Sequence, residues 1–348
     1  VLGVTDVDTV AARWLIDDGS HLRFPIGRDA DGPLELDLVH DGPHTLIGGT
    51  SGAGKSELLQ SMVAGLAARH SPERLNFLFV DYKGGASLQV FERLPHTVGT
   101  VTNLTADLAT RALTSLRTEL DRRMAVLDGR AKDLAEMLDR HPQEAPASLV
   151  IVIDEFATLV REVPEFVAGV VDIAQRGRSL GIHLVLATQR PTGSVDENIL
   201  ANTNLRISLR MLDRAESTAI IGSPDAADIP VPLRGRGLVR MGPRALVEFQ
   251  SAFAGAAFAI DGERTVRVGD FDGPDATPLA RHVEVSSGAP THLDVVVDAI
   301  VAANAALGLS APRRPWREVL PDVVHLAPLL DDPDVAPALE HPGRSVVV

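Results

Sequence analysis

The chain has no cysteine in 348 residues, which excludes disulfides, thiolate metal sites and cysteine nucleophiles. Aromatic residues make up only 4%, too few for the stacking platforms that hold single-stranded nucleic acid. No run of 18 or more apolar residues occurs and the start carries no signal-peptide pattern, so no helical membrane span is predicted within this stretch. The first residue is Val rather than Met; we expect a piece of a longer protein whose remainder could include membrane spans. Lysine is nearly missing, with only Lys55, Lys83 and Lys132 among 33 basic residues. A net charge of -14 leaves no general basic footprint. It weakens a nucleic-acid reading without removing it, since a small basic pore can sit inside an acidic ring.

One of the three lysines falls in Gly49-Thr50-Ser51-Gly52-Ala53-Gly54-Lys55-Ser56, the spacing G-x-x-x-x-G-K-[ST] of a phosphate-cradling loop. His44 to Ile47 before it reads as a short strand. Ser56 to Arg69 after it reads as a helix with Leu58, Leu59, Met62, Val63 and Leu66 on one face. In that context the glycines let backbone N–H groups turn toward phosphate oxygens, and the helix N-terminus adds its positive dipole end. Lys55 is the candidate for the β- and γ-phosphates of ATP, and the Ser56 hydroxyl for Mg²⁺.

Around this loop the chain alternates strand and helix, which implies an α/β fold with a mostly parallel central sheet. A lead-in helix over residues 1–20, anchored by Trp14, precedes a hairpin of His21–Ile26 and Leu34–Val39 that feeds the loop strand. Asn76–Val80, Leu149–Ile153, His183–Ala187, Leu205–Leu209, Arg236–Met241 and Leu246–Phe253 read as strands. Ala106–Leu127 reads as a helix with its Arg, Glu and Asp turned to solvent, and Pro164–Leu180 as another. Beyond residue 256, Val266–Val268 reads as a strand and Phe271–Pro290 as a connector. Thr291–Leu307 reads as a capped helix, and Ser310 onward, with Trp316, as a Pro-rich linker. The expected organisation is 1–20 lead-in, 21–256 catalytic core, 257–309 extension and 310–348 linker.

Asp154 and Glu155 close the LVIVI run, where open α/β sheets place ligands. The first suits the metal shell, the second a base acting on water. Gln189, at the end of the next strand, can contact the attacking water or the γ-phosphate. Arg176 and Arg178, on an exposed helix end, are candidates for an arginine offered to a neighbouring subunit, against the plain alternative of solvated surface charge.

Taken in order, TSGAGKSELLQSM, FVDYKGGASL, LPHTVGTVTN, VIVIDEF, RGRSLGIHLVLATQRP and NLRISLRMLDRAES resemble the FtsK/SpoIIIE family of motor ATPases over about residues 20–255. The phrase Asp81-Tyr82-Lys83-Gly84-Gly85-Ala86, with Leu94-Pro95-His96 and Thr102-Asn103-Leu104, is similar to the EccC-type branch of type VII secretion. The resemblance implies a RecA-like P-loop core that assembles into hexameric rings. It singles out Arg178 as the arginine acting in trans, and likens the Trp316 segment to a linker between successive ATPase modules that can dock and restrain the first. It further implies work at the cytoplasmic side of the cell membrane, with a membrane complex and a secreted protein as partners. Ala187-Thr188-Gln189-Arg190-Pro191 looks more like the family's DNA pumps. Three functions therefore stand open: a protein-export motor, a double-stranded DNA translocase, and a regulatory module that holds ATP without turnover. Tyr82 and Lys83 are read equally as pore-facing groups or as a sheet-edge turn.

Overall fold

Short apolar, β-branched runs become the middle of one ten-stranded sheet. The computed structural model describes residues 6–81, 87–102, 106–195, 197–242, 246–258 and 290–315. The chain divides into units 1–315 and 316–348, and everything described lies in the first. Tyr82, Lys83, Val266–Val268 and Trp316, singled out above, lie outside the described residues.

The strands are β1 (Arg23–Arg28), β2 (Pro33–Asp37), β3 (His44–Gly48), β4 (Leu75–Asp81), β5 (Thr97–Thr102), β6 (Ser148–Asp154), β7 (Ile182–Thr188), β8 (Leu205–Leu209), β9 (Arg236–Met241) and β10 (Val247–Ser251). Their order is β2-β1-β10-β9-β8-β3-β7-β6-β4-β5. From β8 to β5 every pairing is parallel. From β8 outward to β2 every pairing is antiparallel. The expected hairpin forms, but it lies at the far edge of the sheet, with three strands between it and β3, rather than beside the strand it leads into.

The helices are α1 (Val7–Leu15), α2 (Lys55–Ala67), α3 (Ala106–Leu127), α4 (Leu134–Arg140), α5 (Phe156–Glu162), α6 (Pro164–Gly177), α7 (Glu197–Asn202), α8 (Arg214–Ile221) and α9 (His292–Leu307). Central strands β3, β4, β6 and β7 are buried along their whole length, as sheets covered on both faces require. Phe77, Phe79, Val150, Val152, Val185 and Ala187 point into a core shared with α1, α2 and α9. By the two-residue alternation, Leu78, Ile151, Ile153, Leu184 and Leu186 face the other side, where α6 packs on β7 and α3 on α6.

α2 departs from the amphipathic expectation. Besides the predicted face, Ser61, Ala64, Gly65 and Ala67 are buried, because α1 and α9 cover its outer side. Trp14 fastens α1 there, with its indole N–H donating to the Ala67 carbonyl at 3.0 Å. α9 begins with a reciprocal capping box between Thr291 and Asp294, as the sequence predicts. α3 corrects a second expectation. Glu119 and Arg123, read as part of a solvated charged face, are 5% and 3% exposed and pair with each other inside the protein.

Candidate nucleotide site

Parallel register brings the carboxyl ends of β3, β6 and β7 to one edge of the sheet. Gly48 lies beside Thr188, and Ile153 beside Leu186, so β7 stands between the loop strand and the acid-bearing strand. Three consecutive chain exits therefore converge: Gly49–Ser56 from β3, Asp154–Glu155 from β6, and Gln189 from β7.

The loop is pinned at both sides. Gly49 N–H donates to the Thr188 carbonyl at 3.2 Å, and Thr50 N–H to the Arg210 carbonyl at 3.0 Å. Gly235 N–H donates to the Ala53 carbonyl at 2.8 Å. Gly52 and Gly54 hold φ of +74° and +103°, which side chains resist. A Cβ on Gly52 would meet open space, whereas one on Gly54 would lie 3.0 Å from the Gly235 nitrogen. Within α2 the first amide to find a carbonyl is Leu58, on Gly54 at 2.9 Å, which leaves the first-turn amides of Lys55, Ser56 and Glu57 pointing out of the helix end. This is an anion cradle.

The Lys55 ammonium is 5% exposed and reaches across to the acidic pair. It donates to Asp154 Oδ1 and stands 3.2 Å from Glu155 Oε1. Both carboxylates are buried, at 7% and 8% exposure. Glu155 is the one non-glycine residue with positive φ among those described, at 57°. That turn folds its N–H back onto Asp154 Oδ1 at 2.9 Å and directs its carboxylate to Gln189, whose Nε2 donates to Glu155 Oε1 at 2.5 Å. The Gln189 amide oxygen in turn accepts from Ser51 Oγ of the loop at 2.7 Å. One connected network thus runs Ser51–Gln189–Glu155–Lys55–Asp154.

Of the loop residues, Ser51 and Lys55 join this network through their side chains, and Lys55 and Ser56 contribute first-turn amides to the cradle; Ser56 is half-buried at the second position of α2. Lys55, Asp154, Glu155 and Gln189 converge, with Ser56 next to Lys55 at the start of α2, as residue types that fit a magnesium triphosphate: a cation, a hydroxyl, two carboxylates and open amides. Arg178 does not join them. It is exposed at the opposite end of β7, about 20 Å along the strand from Gln189 by the strand rise. There it lines a 440 Å³ cavity with Gln175, Asp133, Ser148 and His183. Burial pushes the imidazole of His183 down to about 4, so it is neutral there. Arg176 pairs with Asp172 on its own helix.

Sequence reasoning missed the 210 and 235 backbone contacts to the loop; the glycine between Arg234 and Arg236 was the available signal. A second group, His21, Asp37 and His40, has ligand atoms within 4.8 Å of one another. Arg23 Nε lies 3.6 Å from the same Asp37 oxygen that both imidazoles approach, so this is a hydrogen-bonded clasp on the hairpin.

Comparison with known proteins places the chain in a family. The FtsK/SpoIIIE family pattern matches residues 11–145 and 135–193. The type VII secretion system protein EssC of Staphylococcus aureus is 36% identical over 94% of this chain, which spans 24% of that protein. The ESX secretion system protein EccC of Geobacillus thermodenitrificans is 37% identical over 90% of the chain, which spans 22% of it. Among solved structures, the cytoplasmic domain of the type VII secretion ATPase EccC from Thermomonospora curvata superposes with a TM-score of 0.72 at 33% identity, over 90% of this chain and 34% of that one. The chain therefore spans about a quarter of the curated relatives it matches.

Proposed function

This chain belongs to the FtsK/SpoIIIE family of ATPases, and from that premise we propose that it is a motor module hydrolysing ATP to drive protein export through a type VII secretion system. The observation that carries the reading is the Ser51–Gln189–Glu155–Lys55–Asp154 network at the mouth of the anion cradle. The secretion proteins among its relatives supply the substrate class.

ATP binds with its phosphates in the Gly49–Ser56 cradle. Lys55 then exchanges its carboxylate partners for the β- and γ-phosphate oxygens. Ser56 and Asp154 would hold Mg²⁺, which supplies charge neutralisation across those phosphates. The exchange frees Glu155 to accept a proton from the attacking water. Gln189 fixes the direction of that carboxylate through Nε2 while Ser51 fixes Gln189, so the base is oriented before the phosphates arrive.

Arg178 serves a neighbour. Its place at the far end of β7 keeps it from its own site, and its exposure suits a subunit boundary in a hexameric ring. The other partners in this reading are further ATPase modules of the same polypeptide, a secreted protein and a membrane complex, with the module working at the cytoplasmic face of the cell membrane. No helix among the described residues is long and apolar enough to cross a membrane.

The test compares hydrolysis with added duplex DNA and with the C-terminal peptide of a small helical secreted protein. Stimulation by the peptide alone is expected. Stimulation by DNA that fades steeply with salt would replace the export reading with a DNA translocase.

A further inference from the structure

α3 carries a buried arginine that the ATP site does not use. The Arg123 guanidinium is 3% exposed, and burial of such a group is costly unless its donors are all engaged. Its Nε donates to Glu119 Oε1 at 2.8 Å, and Glu119 is itself gripped by Arg122 through both oxygens. The two remaining nitrogens go to backbone carbonyls: Nη1 to Leu180 at 2.8 Å and Gly181 at 3.5 Å, Nη2 to Ala147 at 2.6 Å.

Those three carbonyls hold the base of the motor. Leu180 closes the single turn that begins at Arg178, and Gly181, at φ +71°, leads straight into β7. Ala147 leads into β6, the strand that ends in Asp154 and Glu155. Leu149 N–H donates to the Gly181 carbonyl at 2.8 Å, so the two strand starts are already tied together where Arg123 grips them. A planar fork with fixed donor directions suits this task, whereas a point charge on a flexible stem does not.

We infer that Arg123 is the positioning residue for Arg178: by clamping the Leu180, Gly181 and Ala147 carbonyls, it sets the Arg178 turn relative to the strands that end in the hydrolytic groups. This rests on the reading of Arg178 as the arginine offered in trans. The two strands whose starts Arg123 ties run on to Asp154–Glu155 and to Gln189 at the other end of the sheet.

The experiment measures ATP hydrolysis at protein concentrations where the rate per subunit no longer rises, for wild type, Arg178→Ala, Arg123→Lys, and mixtures with Glu155→Gln. Arg178→Ala is expected to lose about 10³-fold or more in kcat. Arg123→Lys keeps the charge opposite Glu119 but loses the fork. It is expected to lose about 10- to 100-fold in kcat, the scale of a displaced catalytic group, with KM for ATP within about twofold of wild type. Excess Glu155→Gln subunits, inert themselves but carrying an intact Arg178 turn, should restore hydrolysis at the Arg123→Lys sites. Amide exchange read independently of activity should rise in residues 176–182 and stay unchanged in 49–56. Wild-type kcat and exchange in Arg123→Lys, with Arg178→Ala inactive, would overturn this inference alone. A loss not relieved by Glu155→Gln subunits and accompanied by a matching rise in KM would reduce Arg123 to a scaffold residue. Full activity in Arg178→Ala would remove the trans arginine itself, and this inference with it.

Discussion

Lys55→Met is the sharpest probe of the nucleotide-free protein. Methionine retains most of the unbranched stem, so the change removes the ammonium with little loss of packing. What remains is a pair of buried carboxylates, Asp154 and Glu155, that had shared it. Removing one partner of a buried ion pair costs about 3–5 kcal/mol. Here the Glu155 amide still donates to Asp154 and Gln189 still donates to Glu155, so the lower end, about 3 kcal/mol, applies. For the 315-residue unit, an unfolding entropy of about 2.1 cal/mol/K per residue converts that to a drop in Tm of about 4–5 °C. Calorimetry without nucleotide, in a buffer free of phosphate and sulfate, measures it. The double variant Lys55→Met/Glu155→Gln, which also deletes one of the stranded charges, should recover a third or more of the loss. A Tm for Lys55→Met equal to or above wild type, with coupling to Glu155 below about 0.5 kcal/mol, would show that the ammonium does not neutralise these acids, and the network argument would fail.

Glu155→Gln should lower kcat by about 10²–10⁴ while ATP binding, followed by calorimetric titration, stays equal or tightens, because a carboxylate leaves the neighbourhood of the phosphates; turnover at the wild-type rate would remove Glu155 as the base. Gly54→Ala forces a side chain to φ +103° and toward the Gly235 backbone, so ATP affinity should fall about tenfold or more with the fold retained by circular dichroism; unchanged affinity would mean the loop does not need this shape. His96 and His183 are both fully buried, and desolvation holds each near 4 against an ordinary 6.5. The unfolded chain therefore binds more protons than the folded one between those values, and stability falls as pH drops from about 6.5 to 4, by about 2 kcal/mol per histidine at pH 5. Urea midpoints at pH 7 and 5 should show this loss, and His183→Gln should lessen it; a pH-independent difference between that variant and wild type would place the effect elsewhere.

Much of the site was legible because its chemistry constrains spacing. A triphosphate needs a glycine turn, a lysine at a set place and acids at a neighbouring strand tip, and the strands carrying them are apolar enough to read as buried. β8 and β9 were legible as strands too, and their predicted bounds match. β5 was not legible: Thr97–Thr102 sits at the sheet edge, half-buried, and its threonines and glycine give no apolar alternation. The covered outer face of α2 was invisible too, since α1 and α9 reach it from distant parts of the chain.

Charge pattern misled at α3 for a different reason. Glu119, Arg122 and Arg123 at helical spacing read as a solvated ladder, and nothing in that stretch says that Leu180, Gly181 and Ala147 lie opposite. A buried arginine is recognisable only from its acceptors, and these are backbone carbonyls, which every residue carries. The same logic separates Arg176 from Arg178. Both sit in one exposed pentapeptide, but Arg176 is satisfied by Asp172 one turn back, while Arg178 stands on a turn that a buried guanidinium holds from behind. The two therefore differ in what fixes them: a side-chain ion pair for Arg176, a held backbone turn for Arg178.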